Sequence, residues 1–543
     1  MRILTCSEVR EATGGPEANP QILMQRAGYA VAQFCASQFK FRSVCVVCGK
    51  GHNGGAGLIA AEALQRVAET VSVMILAKQA DELNPDVAAC LRPDARPIWI
   101  SDAADFESRA AREALGADLV IDAIVGTGFK PPLHGLARKA VASINDAAGT
   151  IVSVDVPSGI DADSKTPVHE SGGNMVFAHG IIALIAPKPA HAFGELTSGP
   201  IAVSEIGTQP AFVPNETGVD VITGQDVGIT FPPRSNDAHK DQFGHVLVIA
   251  GSLGKAGAAA LAGLAAMSTG AGLVTVACPK SIQGTVAGFS PALMTHGLPE
   301  TDEGTISMQA SDQIAALLTG KDVVVLGPGL SRNPETAAFV RRLVIGSRLP
   351  LVLAGDGLNA FEGHYEELMP HGEATPFRVL APHPGQAARL TGASIDDIQA
   401  DRMGMARRIS RETGSCVVLK GWRTVVAGVS DETWINMSGN PALAKAGAGD
   451  VLSGMIGAAL ARHRGSRADA AEPARMRDQQ LHHKLLEDLN VAAAVHLHGL
   501  AGDIARDALH ENTVAATDLI EALAEAFREC DLQVDRGLFY LRK

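Results

Sequence analysis

Short apolar runs alternate with longer stretches of helical periodicity along almost the whole chain. In the first part these runs lie at 44–49, 71–77, 118–126, 150–159 and 180–187. After residue 235 the alternation returns in HVLVIAGS, GLVTVACP, DVVVLGPG, LPLVLAGDG, RVLAPHPG and SCVVLKG. Runs rich in Val and Ile are typical of parallel strands that are buried on both faces. The pattern therefore predicts two open α/β domains with mostly parallel sheets, which bind ligands at the carboxyl ends of their strands.

A segment of mixed composition separates the two parts of the chain. Residues 205–235 combine Pro, Gly and polar residues and show little sustained periodicity. Because 543 residues are too many for one ordinary core, at least two domains are expected. We predict a first domain over residues 1–225 and a second over residues 226–543. The charged stretch at 462–490, inside the second domain, is interpreted as a solvated insertion or an exposed helix.

Composition and charge narrow the class of protein. The chain has 46 basic and 59 acidic residues, a net charge of −13, and no basic cluster, which argues against nucleic-acid binding. The start of the chain lacks the apolar core of a secretory signal, and no uninterrupted apolar run reaches the roughly 18 residues of a membrane-spanning helix. We therefore expect a cytoplasmic protein without membrane contact, and the sequence leaves open whether it forms a homo-oligomer.

A glycine-rich loop precedes an apolar segment of helical length at residues 440–460, NPALAKAGAGDVLSGMIGAAL. Gly447, Gly449 and Asp450 fall at the predicted helix start, where unpaired N–H groups and the helix dipole favour an anion. Glycines let the main chain approach a phosphate, and an acid there can accept the proton of a substrate hydroxyl during phosphoryl transfer. The motif alone is equally compatible with a glycine-rich turn in which Asp450 caps the helix.

Polar side chains end three strands of the first part. Asn53 lies in the loop after the first strand, Asp122 ends the strand DLVIDAIVG, and Asp155 and Ser158 follow TIVSVDV. Because the carboxyl ends of parallel strands meet at one edge of a sheet, these side chains are expected to converge. Their oxygens suit a hard cation, and a spare acid beside it could move protons. Each acid taken alone is also explained as a turn residue at a strand end.

The motifs CGKGHNGGAGL, DAIVGTGF and SVDVPSGIDAD resemble those of the NAD(P)HX epimerase domain, the N-terminal half of bifunctional NAD(P)H-hydrate repair enzymes. That family interconverts the R and S epimers of hydrated NADH and NADPH (NADHX and NADPHX) and binds K⁺. The resemblance implies Asn53, Asp122 and Ser158 as ligands of K⁺, and Asp155 as the acid/base. The residues implied to line the substrate site are His52, Asn53, Gly54, Gly55, Ala56, Gly126, Thr127, Gly128, Phe129, Lys130, Pro131, Pro132 and Asp155.

The first domain departs from the family pattern in one loop. The family sequence NNGGDG reads HNGGAG here, with His52 and Ala56 as the changed residues. Loss of the acid at position 56 removes a nucleotide contact, so the resemblance predicts a weakened or absent epimerase activity. Lys188, in APKPAH, matches a family lysine and is expected near the substrate.

The second part resembles the ADP-dependent NAD(P)H-hydrate dehydratase, which has a ribokinase-like fold. The motifs GPGL, DGLN, PHPGQ, VVLKGWRT and NMSGNPALAKAGAGDVLSG appear in the family's order. The resemblance implies ADP as co-substrate, Mg²⁺ as cofactor and Asp450 as the catalytic base. The residues implied to contact the hydrate are Ala258, Gly329, His383 and Asp450. The residues implied to contact the nucleotide are Lys420, Gly421, Trp422, Arg423, Thr424 and Gly449. From the residues alone, His383 is also explained as a turn residue and Lys420 as a surface lysine.

The second domain also carries three departures from the family motifs, namely Ser331, Ala354 and Gln386. Gln386 replaces a glutamate and keeps its shape but loses a charge that could organise Mg²⁺ through water, which predicts slower turnover or altered metal dependence. The sequence thus favours a bifunctional repair enzyme: a Rossmann-like parallel-sheet domain followed by a ribokinase-like α/β domain. Two alternatives stay open: a small-molecule kinase, and a degenerate nucleotide-binding module with one or both sites inactive.

Overall fold

The computed structural model describes residues 1–13, 19–92, 95–165, 175–207, 218–370, 375–465 and 476–542. They form two compact units, the first made of Met1–Val221 with Gln533–Lys543 and the second of Ile222–Leu532. The predicted fold class, two α/β domains with mostly parallel sheets, is confirmed. Of the charged stretch at 462–490, residues 466–475 lie outside the described residues and residues 476–490 belong to a long helix.

The strands are short, as buried parallel strands usually are. They are β1 (Ser43–Cys48), β2 (Thr70–Ile75), β3 (Ile98–Trp99), β4 (Leu119–Ala123), β5 (Thr150–Val154), β6 (Gly180–Leu184), β7 (Ile201–Ser204), β8 (Asp220–Val221), β9 (His245–Ile249), β10 (Leu273–Pro279), β11 (Met294–Leu298), β12 (Val323–Leu326), β13 (Leu351–Leu353), β14 (Arg378–Leu380), β15 (Cys416–Leu419), β16 (Val425–Ala427), β17 (Thr433–Ile435) and β18 (Phe539–Arg542).

Helices connect most of the parallel strands. The α-helices are α1 (Cys6–Thr13), α2 (Pro20–Gln38), α3 (His52–Leu64), α4 (Pro85–Ala88), α5 (Arg109–Leu115), α6 (Gly135–Asn145), α7 (Pro189–Phe193), α8 (Gly224–Thr230), α9 (Ala256–Ser268), α10 (Gln283–Ala287), α11 (Ser311–Leu317), α12 (Pro334–Gly346), α13 (Asp356–Asn359), α14 (Pro384–Thr391), α15 (Ile395–Ala400), α16 (Arg402–Thr413), α17 (Ala448–Gly465), α18 (Met476–Ala508) and α19 (Ala516–Arg536). In the described parts of the chain, no helix has both the length and the apolar character that crossing a bilayer requires.

The sheet of the first unit has the strand order β18-β7-β6-β5-β4-β1-β2-β3. Neighbouring strands are parallel except β18, which pairs antiparallel with β7 although it follows the whole second unit in the sequence. The chain runs outward from β1 on one side of the sheet and from β4 on the other. The strand order therefore reverses between β1 and β4, and a crevice opens there at the carboxyl ends of the strands.

The sheet of the second unit runs β11-β10-β9-β12-β13-β14-β15-β16-β17, with antiparallel pairing only along β15, β16 and β17 in this run. Its order reverses between β9 and β12, which places a second crevice beside the loops after these strands. Helices cover both faces of this sheet, because apolar side chains are buried on each. Val246, Val248 and Val325 lie on one face, and Leu247 and Val324 lie on the other.

Helix α17 packs directly on α9 through small residues. A Cβ atom on Gly454 would lie 2.1 Å from the carbonyl oxygen of Ala262, so only glycine permits this approach of the two helices. Val451, Met455 and Ile456 of the same helix are buried in the core. This packing holds the start of α17, and with it Asp450, at a fixed position.

Candidate active sites

A cavity of about 770 Å³ lies in the first unit, at the carboxyl ends of β1, β4 and β5. It occupies the place where the reversal of strand order opens the sheet. Of the residues that the sequence singles out, the structure brings the following to its wall: His52, Asn53, Ala56, Gly126, Thr127, Gly128, Phe129, Asp155 and Lys188. Residue 56 presents only a methyl group there, as the loop sequence HNGGAG implies.

Other residues of the same two loops do not line this cavity. A Cβ atom on Gly54 would lie 2.0 Å from the carbonyl oxygen of Gly49, so this glycine serves close packing of the loop. Gly55 packs in the same way against Met24. The Nζ atom of Lys130 lies 2.7 and 2.9 Å from carboxylate oxygens of Asp161 and Asp163, and Pro131 and Pro132 follow it outside the cavity wall.

Asp155 and Lys188 form a buried ion pair at the end of β5. The ammonium of Lys188 donates to Oδ1 of Asp155 and to the carbonyl oxygen of Leu184, and both charged side chains are almost fully buried. Burial raises the pKa of Asp155, but the charge of Lys188 and its hydrogen bond outweigh burial and hold that pKa below its usual value. Asp155 is thus an ionised carboxylate that faces the cavity.

Asp122 lies beneath the cavity, where oxygen atoms converge. Its carboxylate accepts hydrogen bonds from the hydroxyls of Ser153 and Ser158 and from the N–H of Ser158. The Asn53 amide donates to the carbonyl oxygen of Val125 at 3.0 Å, which brings the loops after β1 and β4 together. Burial raises the pKa of Asp122, against these hydrogen bonds. Its hydrogen-bond donors among the described residues are neutral, so the site combines a buried acid with several nearby oxygen atoms.

In the second unit, Asp450 lies in the first turn of α17, where its N–H bonds the carbonyl oxygen of Gly447. Lys420 follows β15 and approaches the same helix start: a Cβ atom on Gly449 would lie 3.1 Å from its Nζ atom. Burial raises the pKa of Asp450 to about 6 although Lys420 opposes this rise. Burial also disfavours the charged form of Lys420 and lowers its pKa to about 8. An acid poised near neutrality and an ammonium thus meet at a helix N-terminus.

The crevice between β9 and β12 brings a further group of predicted residues together. A Cβ atom on Gly329 would lie 2.9 Å from that of Ala258, so these two residues are in contact across the crevice. Beside them, Nζ of Lys255 lies 3.2 Å from Oδ2 of Asp356, and the same oxygen accepts from the N–H of Ser331 at 2.8 Å. The charge of Asp356 contributes to the raised pKa of Asp450, so this group and the start of α17 are electrostatic neighbours.

His383 caps the N-terminus of α14, and its ring accepts a hydrogen bond from the N–H of Gln386. In return, the Oε1 atom of Gln386 accepts a hydrogen bond from the His383 N–H, and its Nε2 atom donates to the carbonyl oxygen of Gly355 at 2.9 Å. A glutamate could not make the second bond, because its carboxylate has no N–H. Compared with a glutamate, Gln386 therefore lacks a negative charge but makes an additional hydrogen bond, which connects α14 to the loop after β13.

The loop KGWRT continues from Lys420 and exposes its aromatic residue. Trp422 is 61% exposed, with the guanidinium of Arg423 4.1 Å from its ring centre. Thr424 bonds the carbonyl oxygen of Gly421 at 3.1 Å and so closes the turn. An exposed aromatic and a cation beside the ammonium of Lys420 suit a nucleotide.

Four residues that the sequence did not single out belong to these sites. Lys255 and Asp356 form the ion pair described above, and the acid that begins the quoted motif DGLN was the signal for Asp356. His498 bonds the carbonyl oxygen of Ala448 at the start of α17, and His191 bonds that of Asp155. Both histidines are buried. His191 is the last residue of the motif APKPAH, which was the signal for it, whereas His498 lies far along the chain from the glycine-rich loop and no local pattern reveals it.

Two family models match the chain, that of the YjeF-related protein N-terminus over residues 20–190 and that of NAD(P)H-hydrate dehydratase over residues 246–525. The bifunctional NAD(P)H-hydrate repair enzyme Nnr of Moorella thermoacetica is 34% identical over 527 residues, which cover 95% of this chain and 93% of that protein. The protein of the same name from Escherichia coli is 33% identical, with 81% and 80% covered.

Among solved structures, the ADP/ATP-dependent NAD(P)H-hydrate dehydratase of Bacillus subtilis, co-crystallised with ATP and Mg²⁺, is 26% identical with a TM-score of 0.46. The match covers 57% of this chain and 99% of the Bacillus subtilis chain. The resemblance found in the motifs is confirmed by the full-length relatives and by the two family models. The chain belongs to the family of bifunctional NAD(P)H-hydrate repair enzymes.

Proposed function

We propose that the second unit uses ADP to dehydrate the S epimer of hydrated NADH or NADPH, and that the first unit interconverts the R and S epimers. The observation that carries the dehydratase proposal is the meeting of Asp450, Lys420 and the glycine-rich N-terminus of α17. A base, a cation and main-chain N–H groups are what transfer of a phosphoryl group to a hydroxyl requires.

The dehydration needs a better leaving group than hydroxide. Asp450 accepts the proton of the ring hydroxyl while the hydroxyl oxygen forms a bond to the terminal phosphorus of ADP. At the same time the bond between that phosphorus and AMP breaks. The ring nitrogen then expels the oxygen as phosphate, and loss of a proton from the adjacent ring carbon restores the reduced nicotinamide. ADP and hydrate thus become AMP, phosphate and NAD(P)H, with N–H groups of residues 447–449 holding the transferred group.

The two substrates have separate places in this proposal. The hydrate lies against Ala258, Gly329 and His383, and the adenine nucleotide lies along the loop from Lys420 to Thr424. Mg²⁺ neutralises phosphate charge when bound, and the carboxylate of Asp356 is the group that would hold it, since Mg²⁺ needs only one or two carboxylates beside substrate phosphates.

The pH dependence of dehydration follows from the same pair. We expect kcat/KM to rise with pH through about 6, because Asp450 must lose its proton to act as a base. We expect it to fall above about 8, because Lys420 must keep its proton to attract phosphate. Initial rates at low concentrations of the S hydrate, in buffers of constant ionic strength, measure this profile. A flat profile between pH 5 and 9, whatever the buffer, would contradict the assignment of both residues.

For the first unit, the supporting observation is the ionised carboxylate of Asp155 at the cavity wall, paired with Lys188. Inversion at the hydroxyl-bearing carbon requires a bond to that carbon to break and re-form, and a proton to be taken up and returned. Asp155 would move this proton, and Lys188 would hold the carboxylate in its ionised form. Ala56 leaves a methyl group where the family has an acid, so we expect a weaker nucleotide contact there and a raised KM.

The oxygen ligands beneath the cavity fit a monovalent cation. Asp122 is a fully buried carboxylate with neutral donors, and Ser158, Asn53 and the carbonyl of Val125 would complete the set around K⁺. K⁺ supplies the charge that balances Asp122 and fixes the loops that carry the cavity wall. K⁺ itself takes no part in the proton transfer.

We expect epimerisation to require K⁺ and dehydration by the same chain to be less sensitive to it. Replacing Ser158 by Ala removes one oxygen and should raise the K⁺ concentration for half-maximal epimerisation by about tenfold. Rates measured against K⁺ at constant ionic strength, with choline as the replacement cation, test this expectation. Equal epimerisation rates with and without K⁺ would refute the cation site.

One assay tests both halves of the proposal. Purified protein is given a mixture of R and S NADHX with ADP and Mg²⁺, and the return of reduced-nicotinamide absorbance is recorded. Conversion of the whole mixture, faster than spontaneous epimerisation, supports both units. Conversion that stops at the S fraction leaves only the dehydratase, and a stable phosphorylated product would favour a kinase.

A further inference from the structure

His191 connects the two members of the ion pair in the first unit. It lies in α7, its side chain is completely buried, and its Nδ1 accepts a hydrogen bond from the N–H of Lys188 at 2.9 Å. Its Nε2 lies 2.8 Å from the carbonyl oxygen of Asp155. Because Nδ1 is the acceptor, the proton of the neutral ring is on Nε2, which therefore donates to Asp155. One imidazole thus holds the main chains of both residues.

The backbone at Asp155 requires such support. Its φ angle is 69°, in the left-handed region that residues with side chains rarely adopt. The carboxylate is held by Lys188 and by the N–H of Thr127 at 3.0 Å. Among the described residues, the bond from His191 is the one side-chain bond to the carbonyl group of Asp155, so it fixes the direction of the peptide from which the carboxylate projects.

We propose that His191 is a positioning residue for epimerisation: by bonding the main chains of Asp155 and Lys188, it sets the direction in which the Asp155 carboxylate meets the substrate. This inference rests on the epimerase function proposed above. Displacement of a reacting group by about 1 Å can lower a rate by about 10²-fold, so a bond at this place has a large kinetic effect.

The electrostatics of the site agree with a positioning role. Burial and, to a smaller extent, the neighbouring ammonium of Lys188 together lower the pKa of His191 to about 4, against the opposing effect of the Asp155 carboxylate. The ring therefore stays neutral near pH 7. A neutral imidazole keeps its tautomer and both hydrogen bonds, and it does not compete with Lys188 for the carboxylate.

Three substitutions in the full-length protein separate the two bonds. In His191→Gln, the side-chain amide reaches the position of Nε2 and can still donate to the Asp155 carbonyl. In His191→Asn, the side-chain oxygen reaches the position of Nδ1 and can accept only from Lys188. His191→Leu removes both hydrogen bonds and keeps a side chain of similar size. Epimerisation of R NADHX is measured as kcat and KM, and dehydration of S NADHX by the same sample reports the amount of intact second unit.

We expect His191→Leu to lower kcat of epimerisation by about 10²-fold with an unchanged KM and normal dehydration. His191→Gln should recover most of the lost rate, and His191→Asn should stay close to Leu. Equal rates for Gln and Asn, an unchanged kcat in Leu, or parallel losses of both activities would overturn the positioning role. If the unaltered protein fails to epimerise at all, the proposed epimerase function itself is wrong, which is a distinct result.

Discussion

Replacement of Asp450 by Asn is expected to lower kcat of ADP-dependent dehydration by about 10³-fold. Asparagine keeps the size of the side chain but cannot accept the proton of the hydrate, while the N–H groups at the start of α17 remain. The KM values for hydrate and ADP should therefore change little. The rise of activity through pH 6 should also vanish, since the group that titrates there is gone. Steady-state rates with S NADHX and with ADP, across pH, measure these effects.

A matched control for Asp450→Asn is Asp507→Asn, at the exposed end of α18. Among the described residues, Asp507 forms an ion pair with the neighbouring Arg506 alone. It makes the same chemical change at the surface and should leave the dehydration rate as it is. Substantial dehydration by Asp450→Asn, with its pH profile unaltered, would show that another group takes the proton.

Replacement of Asp155 by Asn should abolish epimerisation, with a fall of about 10³-fold in kcat, and leave dehydration intact. Asparagine tolerates the left-handed backbone at this position, so the substitution removes the charge without adding strain. It leaves the buried ammonium of Lys188 without its counter-ion, which costs about 3–5 kcal/mol. Hydrogen exchange at the amides of β5 and β6 should accelerate accordingly.

The double variant Asp155→Asn with Lys188→Met separates catalysis from stability. Methionine keeps much of the apolar length of lysine but needs no counter-ion, so hydrogen exchange in β5 and β6 should return toward that of the unaltered protein. Epimerisation should stay absent, because the acid/base is still missing. A double variant that exchanges as fast as the single one would mean that the pair contributes more than charge compensation.

Much of this architecture could be predicted from the sequence because its signals are local. The runs of Val and Ile at 118–126 and 150–159 became β4 and β5, and the polar residues after them meet at one sheet edge as parallel strands require. The placement of Asp450 at a helix start followed from glycines and an apolar helix that lie next to each other. These features depend on short stretches of chain, which a sequence displays directly.

Features that depend on distant residues could not be predicted in this way. The pairing of Lys188 with Asp155 depends on β6 lying beside β5, and the second bond of Gln386 depends on the course of the loop after β13. The sequence suggested a lost charge at Gln386 but gave no sign of the carbonyl that its amide reaches. Gly54 appeared as part of a ligand loop, whereas its lack of a side chain serves the approach of Gly49.

The return of β18 to the first sheet makes the completion of that sheet a late event in synthesis. A ribosome releases the whole of the second unit before it releases the residues that pair with β7. A polypeptide interrupted anywhere in the second unit therefore carries a first sheet whose edge at β7 lacks this partner, and open strand edges favour aggregation. The first sheet is therefore complete only in chains that also carry the full second unit.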